Sequence, residues 1–255
     1  MVKKHLLLIA IVLLSVSCKQ KFSSNFSHSE MYKIDSLIVI DEKIEAFIKP
    51  YRDSLDVIKN RIIGVNKTEL KAYKPDSPLS GFVADIMLQK GRELLSEVID
   101  TEENYPSISI INIKGLRTSL NKGNITVNNI VSVMPFDNKL NAILMKGEDL
   151  ELVFQHIANS NGDGIAGATC DLTQSGMKNI KINNENLSSK NFYWVFVSDY
   201  LTDGGDHYFA LQNHIKIIEF RNKINDILIE YIQNLTEKKI HVDYIHNIRI
   251  NKIDN

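Results

Sequence analysis

Cysteine is scarce in this 255-residue chain, with Cys18 and Cys170 the only two. If the first is taken up by the N-terminal signal described below, no intramolecular disulfide can form. Net charge is nearly absent as well, at −1 from 30 basic and 31 acidic residues. Nor is there a basic stripe carrying aromatic side chains, so a nucleic-acid polymer is not the expected ligand. The seven histidines are scattered and none has an aspartate two residues before it, so no metal-ligand set is visible. Neither repeats nor low-complexity linkers divide the chain, which is long enough to bury a sizeable core in one domain.

Long apolar runs are missing too. Residues 6–14, behind Lys3 and Lys4, are too few to cross a bilayer as a mature helix. The run ends in Ser15-Val16-Ser17-Cys18, small residues leading into a cysteine. This resembles a bacterial lipoprotein signal, in which the cysteine is lipid-modified and begins the mature chain. The customary leucine is displaced by one position, to Leu14. The expectation is an exported bacterial lipoprotein, anchored to a membrane through Cys18 at the periplasmic face or cell surface. Residues 1–18 are then the signal and 19–30 a polar tether; an uncleaved anchor is the alternative.

What is present begins with periodicity. Apolar residues recur at Ile34, Leu37, Ile44, Ile48, Tyr51, Leu55, Ile58 and Ile62, in steps of three and four broken only at Asp41. This predicts a long amphipathic helix over 31–62, ended by Gly64. Its apolar face could pack on its own domain or dock a partner. Residues 63–255 form the expected globular domain. A buried helix enters through Ser77-Pro78 and carries Leu79, Phe82, Val83, Ile86, Met87, Leu94, Leu95 and Val98. The β-branched run 107–111 predicts an interior strand. Thr126 caps a short helix that Pro135 stops. A strand over 140–145 leads to a helix introduced by Gly147, with Leu150, Val153, Phe154 and Ile157 inward. Strands over 166–172, 177–182 and 193–197, a helix over 224–235 and an edge strand over 245–250 complete the chain. Helices and strands interleave without a βαβ rhythm, which makes the fold α+β. Cys170, in an apolar strand-like stretch, is expected as a small buried residue rather than a nucleophile.

The most informative segment is Tyr200-Leu201-Thr202-Asp203-Gly204-Gly205-Asp206. An aromatic ring, two glycines and a carboxylate in one short loop suit a planar base joined to a sugar diol, because glycine lets the backbone turn tightly beside a ligand. Three further segments accompany it. Ser77-Pro78-Leu79-Ser80-Gly81-Phe82-Val83-Ala84-Asp85 is similar to a family segment ESPLGNLIAD. Asn112-Ile113-Lys114-Gly115-Leu116-Arg117 is similar to NGGGIR, Met134-Pro135-Phe136-Asp137-Asn138 to LPFGN, and the Tyr200 loop to FLANGGD. In order, spacing and context the set resembles the C-terminal, substrate-binding domain of the 5′-nucleotidase family, which includes ecto-5′-nucleotidases and periplasmic UDP-sugar hydrolases. The resemblance covers residues 62–250 and implies a layered α/β sandwich behind the connector helix.

By that resemblance Phe136 and Tyr200 sandwich a nucleobase, Asp206 hydrogen-bonds ribose hydroxyls, and Asn112 and Arg117 line the nucleotide pocket, the arginine on phosphate or sugar oxygens. Tyr200 stands where phenylalanine is commoner, which preserves the stacking face. Two departures matter. Relatives usually carry a phosphate-binding arginine four residues before the position of Ser77, whereas this chain has Tyr73, followed by Lys74; NGGGIR has lost two glycines and gained Lys114. The dimetal segments of the family's metallophosphoesterase domain are not found either. No catalytic or metal-ligating residue is therefore expected here, and no cofactor on this chain. Asp206 with His207 is the one adjacent polar dyad, taken as a loop pair, and Asp163 as a turn residue. The reading is a nucleotide-recognition subunit of a split 5′-nucleotidase-like hydrolase, its divalent metals on a separate metallophosphoesterase chain. The alternative is a non-catalytic nucleoside- or nucleotide-binding lipoprotein.

Overall fold

The computed structural model describes residue 35, residues 38–99 and residues 103–253. Cys18, the apolar run before it and the tether lie outside them. The chain divides into two units, Met1–Ile48 and Lys49–Asn255. Helix α1 (Glu42–Lys59) crosses that division and has no buried residue. It is shorter than the connector helix predicted over 31–62. Asp41 starts it, because its Oδ1 accepts from the amides of Lys43 and Ile44 at 2.9 and 3.2 Å. At the other end Ile62 and Gly64 belong to strand β1 (Ile62–Asn66), so Gly64 ends no helix. Ile63 is buried, and a Cβ on Gly64 would lie 2.6 Å from the Ile232 side chain.

Helix α2 (Pro78–Ser96) has Ser77 as N-cap and Pro78 in its first turn, and buries the expected apolar face through Leu95; Val98 lies beyond its end and is exposed. Strand β2 (Ser107–Ile111) is buried at every position. Strand β3 (Gly123–Thr126) pairs antiparallel with β1 and feeds helix α3 (Val127–Val133) through a capping box between Thr126 and Asn129. Strand β4 (Lys139–Lys146) precedes helix α4 (Gly147–Asn159). Strands β5 (Gly164–Ala166) and β6 (Ala168–Thr173) were expected as one. Gly167 separates them at φ +78°, a left-handed turn that lets the chain leave one sheet for another. Strands β7 (Gly176–Ile182), β8 (Glu185–Asn186), β9 (Phe192–Ser198) and β10 (Lys216–Lys223), helix α5 (Ile224–Glu237) and strand β11 (Ile250–Lys252) follow. The last begins at Ile250 rather than spanning 245–250.

The central sheet has the order β10-β4-β9-β2-β5, with β9 and β2 parallel and the other neighbours antiparallel. A second sheet runs β11-β6-β7-β8. Pleating sends alternate side chains of the central sheet to opposite faces. Leu140, Ala142, Trp194 and Phe196 pack with α2, α3 and α5. Ile143, Met145, Tyr193, Val195 and Val197 pack with α4, β6 and β7. This is the α+β layered arrangement expected from the sequence, with apolar cores on both faces of the central sheet. Its topology also sets where chemistry can gather. Because β2 and β9 are parallel, their C-terminal ends emerge on one edge, and antiparallel β4 begins there, with Leu140 opposite Ser198.

Candidate functional site

Three connections meet at that edge: the turn after β2, the approach to β4, and the turns after β9. They enclose a cleft of about 570 Å³ whose lining includes Asn112, Arg117, Phe136, Tyr200 and Asp206. Residues from well-separated segments thus line one cavity. Asn112 follows β2 and is buried at 7% exposure as the N-cap of a 3₁₀ turn, Ile113–Gly115. Arg117 is exposed, and its amide donates to Val133 O at 2.9 Å, tying it to the end of α3. Phe136, half-buried, has the Arg117 guanidinium carbon 5.1 Å from its ring centroid, so one of its faces carries a cation–π contact. Met134, Lys114 and Asn138 complete much of the wall.

The other wall is Tyr200 and Asp206. After β9 the chain makes one helical turn, Asp199–Thr202, whose N-cap Ser198 accepts from the Leu201 amide. Gly204 then takes φ +87°, and Asp206 and His207 take φ 50° and 66°. The Tyr200 ring folds back over this turn. A Cβ on Gly205 would come within 2.5 Å of that ring, so only glycine leaves room for it. The Tyr200 hydroxyl donates to Asp206 Oδ1 at 3.1 Å and accepts from the Asp206 amide at 3.1 Å. Asn112 Nδ2 donates to Asp206 Oδ2 at 2.6 Å. Both carboxylate oxygens are therefore held by hydrogen bonds on the cleft wall. Asp206 is hydrogen-bonded to Tyr200 and Asn112, while the His207 ring packs beside Phe209.

Asp163, expected as a turn residue, is instead a buried hub at 3% exposure. Its Oδ1 accepts from the Ile113 amide at 2.9 Å, and its Oδ2 from the Tyr208 hydroxyl at 2.7 Å and Ser160 Oγ at 3.2 Å. It thereby braces the 3₁₀ turn behind Asn112. Burial, and then the Asp163 charge, push the Tyr208 phenol well above its ordinary value. Lys74 donates to Ser160 O and lies 3.6 Å from Asp163 Oδ1. Its ammonium is engaged within the fold, so it does not stand as a simple replacement for the arginine missing at Tyr73. The sequence signal for Asp163 was a carboxylate between two glycines, after the polar Asn159-Ser160-Asn161 and directly before the apolar Ile165-Ala166. Cys170 is buried on β6, and burial, with the charges of Asp171 and Asp76, pushes its thiol up to about 12. Among the described residues no three His, Cys, Asp or Glu side chains come together as a metal site.

Residues 57–213 match the family model described as 5′-nucleotidase, C-terminal domain. The 5′-nucleotidase of Vibrio parahaemolyticus is 21% identical over 238 residues, 90% of this chain and 40% of that protein. The trifunctional nucleotide phosphoesterase protein YfkN of Bacillus subtilis is 26% identical over 200 residues, 68% of this chain and 13% of that protein. The crystal structure of a 5′-nucleotidase precursor from Thermus thermophilus has a TM-score of 0.68 at 20% identity, covering 84% of this chain and 43% of that one. The chain thus spans less than half the length of these proteins.

Proposed function

Because this chain belongs to the 5′-nucleotidase C-terminal domain family, we propose that its cleft is the nucleotide-recognition site of a split 5′-nucleotidase-like phosphohydrolase acting in nucleotide catabolism. The observation that carries this reading is the convergence of Asn112, Arg117, Phe136, Tyr200 and Asp206 on one cleft of about 570 Å³, a size suited to a small organic ligand. Phe136 and Tyr200 stack the base, an interaction worth about 1–3 kcal/mol per base and tolerant of base identity. Asp206 accepts from the ribose hydroxyls, since a carboxylate held by two donors keeps lone pairs free for a diol. Arg117 offers its planar fork to phosphate or sugar oxygens.

The metal donors of a phosphoesterase are not assembled among the described residues, and no hydrolytic step is assigned to this chain. A separate exported metallophosphoesterase chain supplies divalent metals and the attacking water, while this chain contributes positioning. Lipid on Cys18 anchors the protein to a membrane in the exported compartment. The test is a titration of AMP into the full-length chain, followed by assays for released phosphate with Mn²⁺, Zn²⁺ or Co²⁺. Binding without hydrolysis is expected, with release once a metallophosphoesterase chain lacking its own C-terminal domain is added. Metal-dependent release by the purified chain alone contradicts the reading. Binding with no effect on any such chain leaves the non-catalytic nucleotide-binding lipoprotein.

A further inference from the structure

We infer that the Tyr200 hydroxyl is a positioning group that locks Asp206 in its ligand-ready orientation and thereby sets the discrimination between ribose and deoxygenated sugars. The inference rests on the proposed nucleoside site and adds to it a role for the phenol oxygen, separate from the ring's stacking face. Asp206 and His207 are consecutive non-glycine residues in the left-handed region, at φ 50° and 66°. That conformation is disfavoured for residues with a Cβ, aspartate tolerating it better than most, and it persists only where surrounding contacts over-determine it. At Asp206 two of those contacts come from one atom. The Tyr200 oxygen accepts from the Asp206 amide and donates to Asp206 Oδ1, both at 3.1 Å, closing a ring across the turn. Gly205 makes this possible by leaving open the space the phenol ring occupies. Asn112, itself buried, then holds Oδ2 at 2.6 Å. A phenylalanine at position 200 keeps the stacking face but loses both bonds to Asp206, so the two side chains are not equivalent here.

The test compares full-length wild type, Tyr200→Phe, Asp206→Asn and the double variant for adenosine and 2′,3′-dideoxyadenosine binding by titration calorimetry, after circular dichroism confirms folding. Tyr200→Phe is expected to weaken adenosine by roughly three- to tenfold, the range for one intramolecular hydrogen bond, and to leave dideoxyadenosine unchanged. The double variant should bind adenosine no more weakly than Asp206→Asn alone, because the hydroxyl acts through the carboxylate. Equal weakening of both ligands by Tyr200→Phe, or an unchanged ratio, overturns the inference. If wild type binds neither nucleoside, or Asp206→Asn leaves the ratio at its wild-type value, the nucleoside site itself is refuted and this ligand-based role falls with it. A ligand-free measurement keeps the lock testable even then. Hydrogen exchange at the Asp206 amide should quicken severalfold in Tyr200→Phe, and unchanged exchange overturns the lock.

Discussion

Arg117 shows how much a single side chain in the cleft can be asked to do. Its guanidinium lies over Phe136, and its backbone amide is fixed to Val133 O. In the proposed site it is the group that distinguishes a nucleotide from a nucleoside. Arg117→Lys keeps the charge but gives up the planar fork and the stacking on Phe136. The preference for AMP over adenosine is therefore expected to fall by about tenfold, the scale of one charged hydrogen bond, measured as a ratio of dissociation constants. An unchanged ratio places the phosphate elsewhere. At this scale much of the cleft was legible in the sequence, because Asn112, Arg117, Phe136, Tyr200 and Asp206 stand in three of the linked segments and all line it. Two things were not. Asp163 sits between glycines and looked like a turn, since burial and partners are set by distant residues, Tyr208 and Ile113. The Tyr200 hydroxyl was hidden because a stacking argument makes tyrosine and phenylalanine interchangeable.

Among the elements, α3 is small and carries much of the site. Its end anchors Arg117, and the chain leaving it passes Met134 and Phe136 along the cleft. Its start depends on a reciprocal cap, with the Asn129 amide donating to Thr126 Oγ1 at 3.2 Å and the Thr126 amide to Asn129 Oδ1 at 2.8 Å. Thr126→Ala should cost about 1–2 kcal/mol, read as a lower midpoint in thermal unfolding. A midpoint equal to wild type contradicts the assignment of that cap. Elements with a strong signal were visible beforehand: α2, α4 and α5 show a helical repeat, β2 is a short isoleucine-rich stretch, and β9 is an apolar run up to Ser198. Strands β1, β3, β8 and β10 were not. Lys216–Lys223 alternates poorly and buries only Phe220 fully, as an edge strand can. Glu185–Asn186 is only two residues long. Where β11 begins, Asp76 accepts from the amides of Arg249 and Ile250 at 2.6 and 3.4 Å. The chain entering that strand is thus tied to a buried carboxylate.

For the molecule as a whole, pH reports how tightly the layers close. The Cys170 thiol is pushed up from 9.0 to about 12 by burial between the sheets. Burial and Asp163 raise Tyr208, and burial and Asp85 raise Tyr244. Each group holds its proton more tightly folded than unfolded. Its contribution is complete below the ordinary value and is lost as pH rises through the folded one. Stability in urea should therefore begin to fall near pH 9, when Cys170 starts to titrate in the unfolded chain, by up to about 1.4 kcal/mol per pH unit for that one proton. Cys170→Ala should delay the fall until the tyrosines begin to titrate near pH 10; the same onset in that variant contradicts the burial argument. Whether the cleft at the β2, β4 and β9 edge holds a nucleoside, as proposed, is tested most directly by nuclear magnetic resonance on the full-length chain saturated with adenosine. The prediction is intermolecular Overhauser effects from adenine H2 and H8 to ring protons of both Phe136 and Tyr200. Effects to other residues only, or no bound adenosine at all, contradict it.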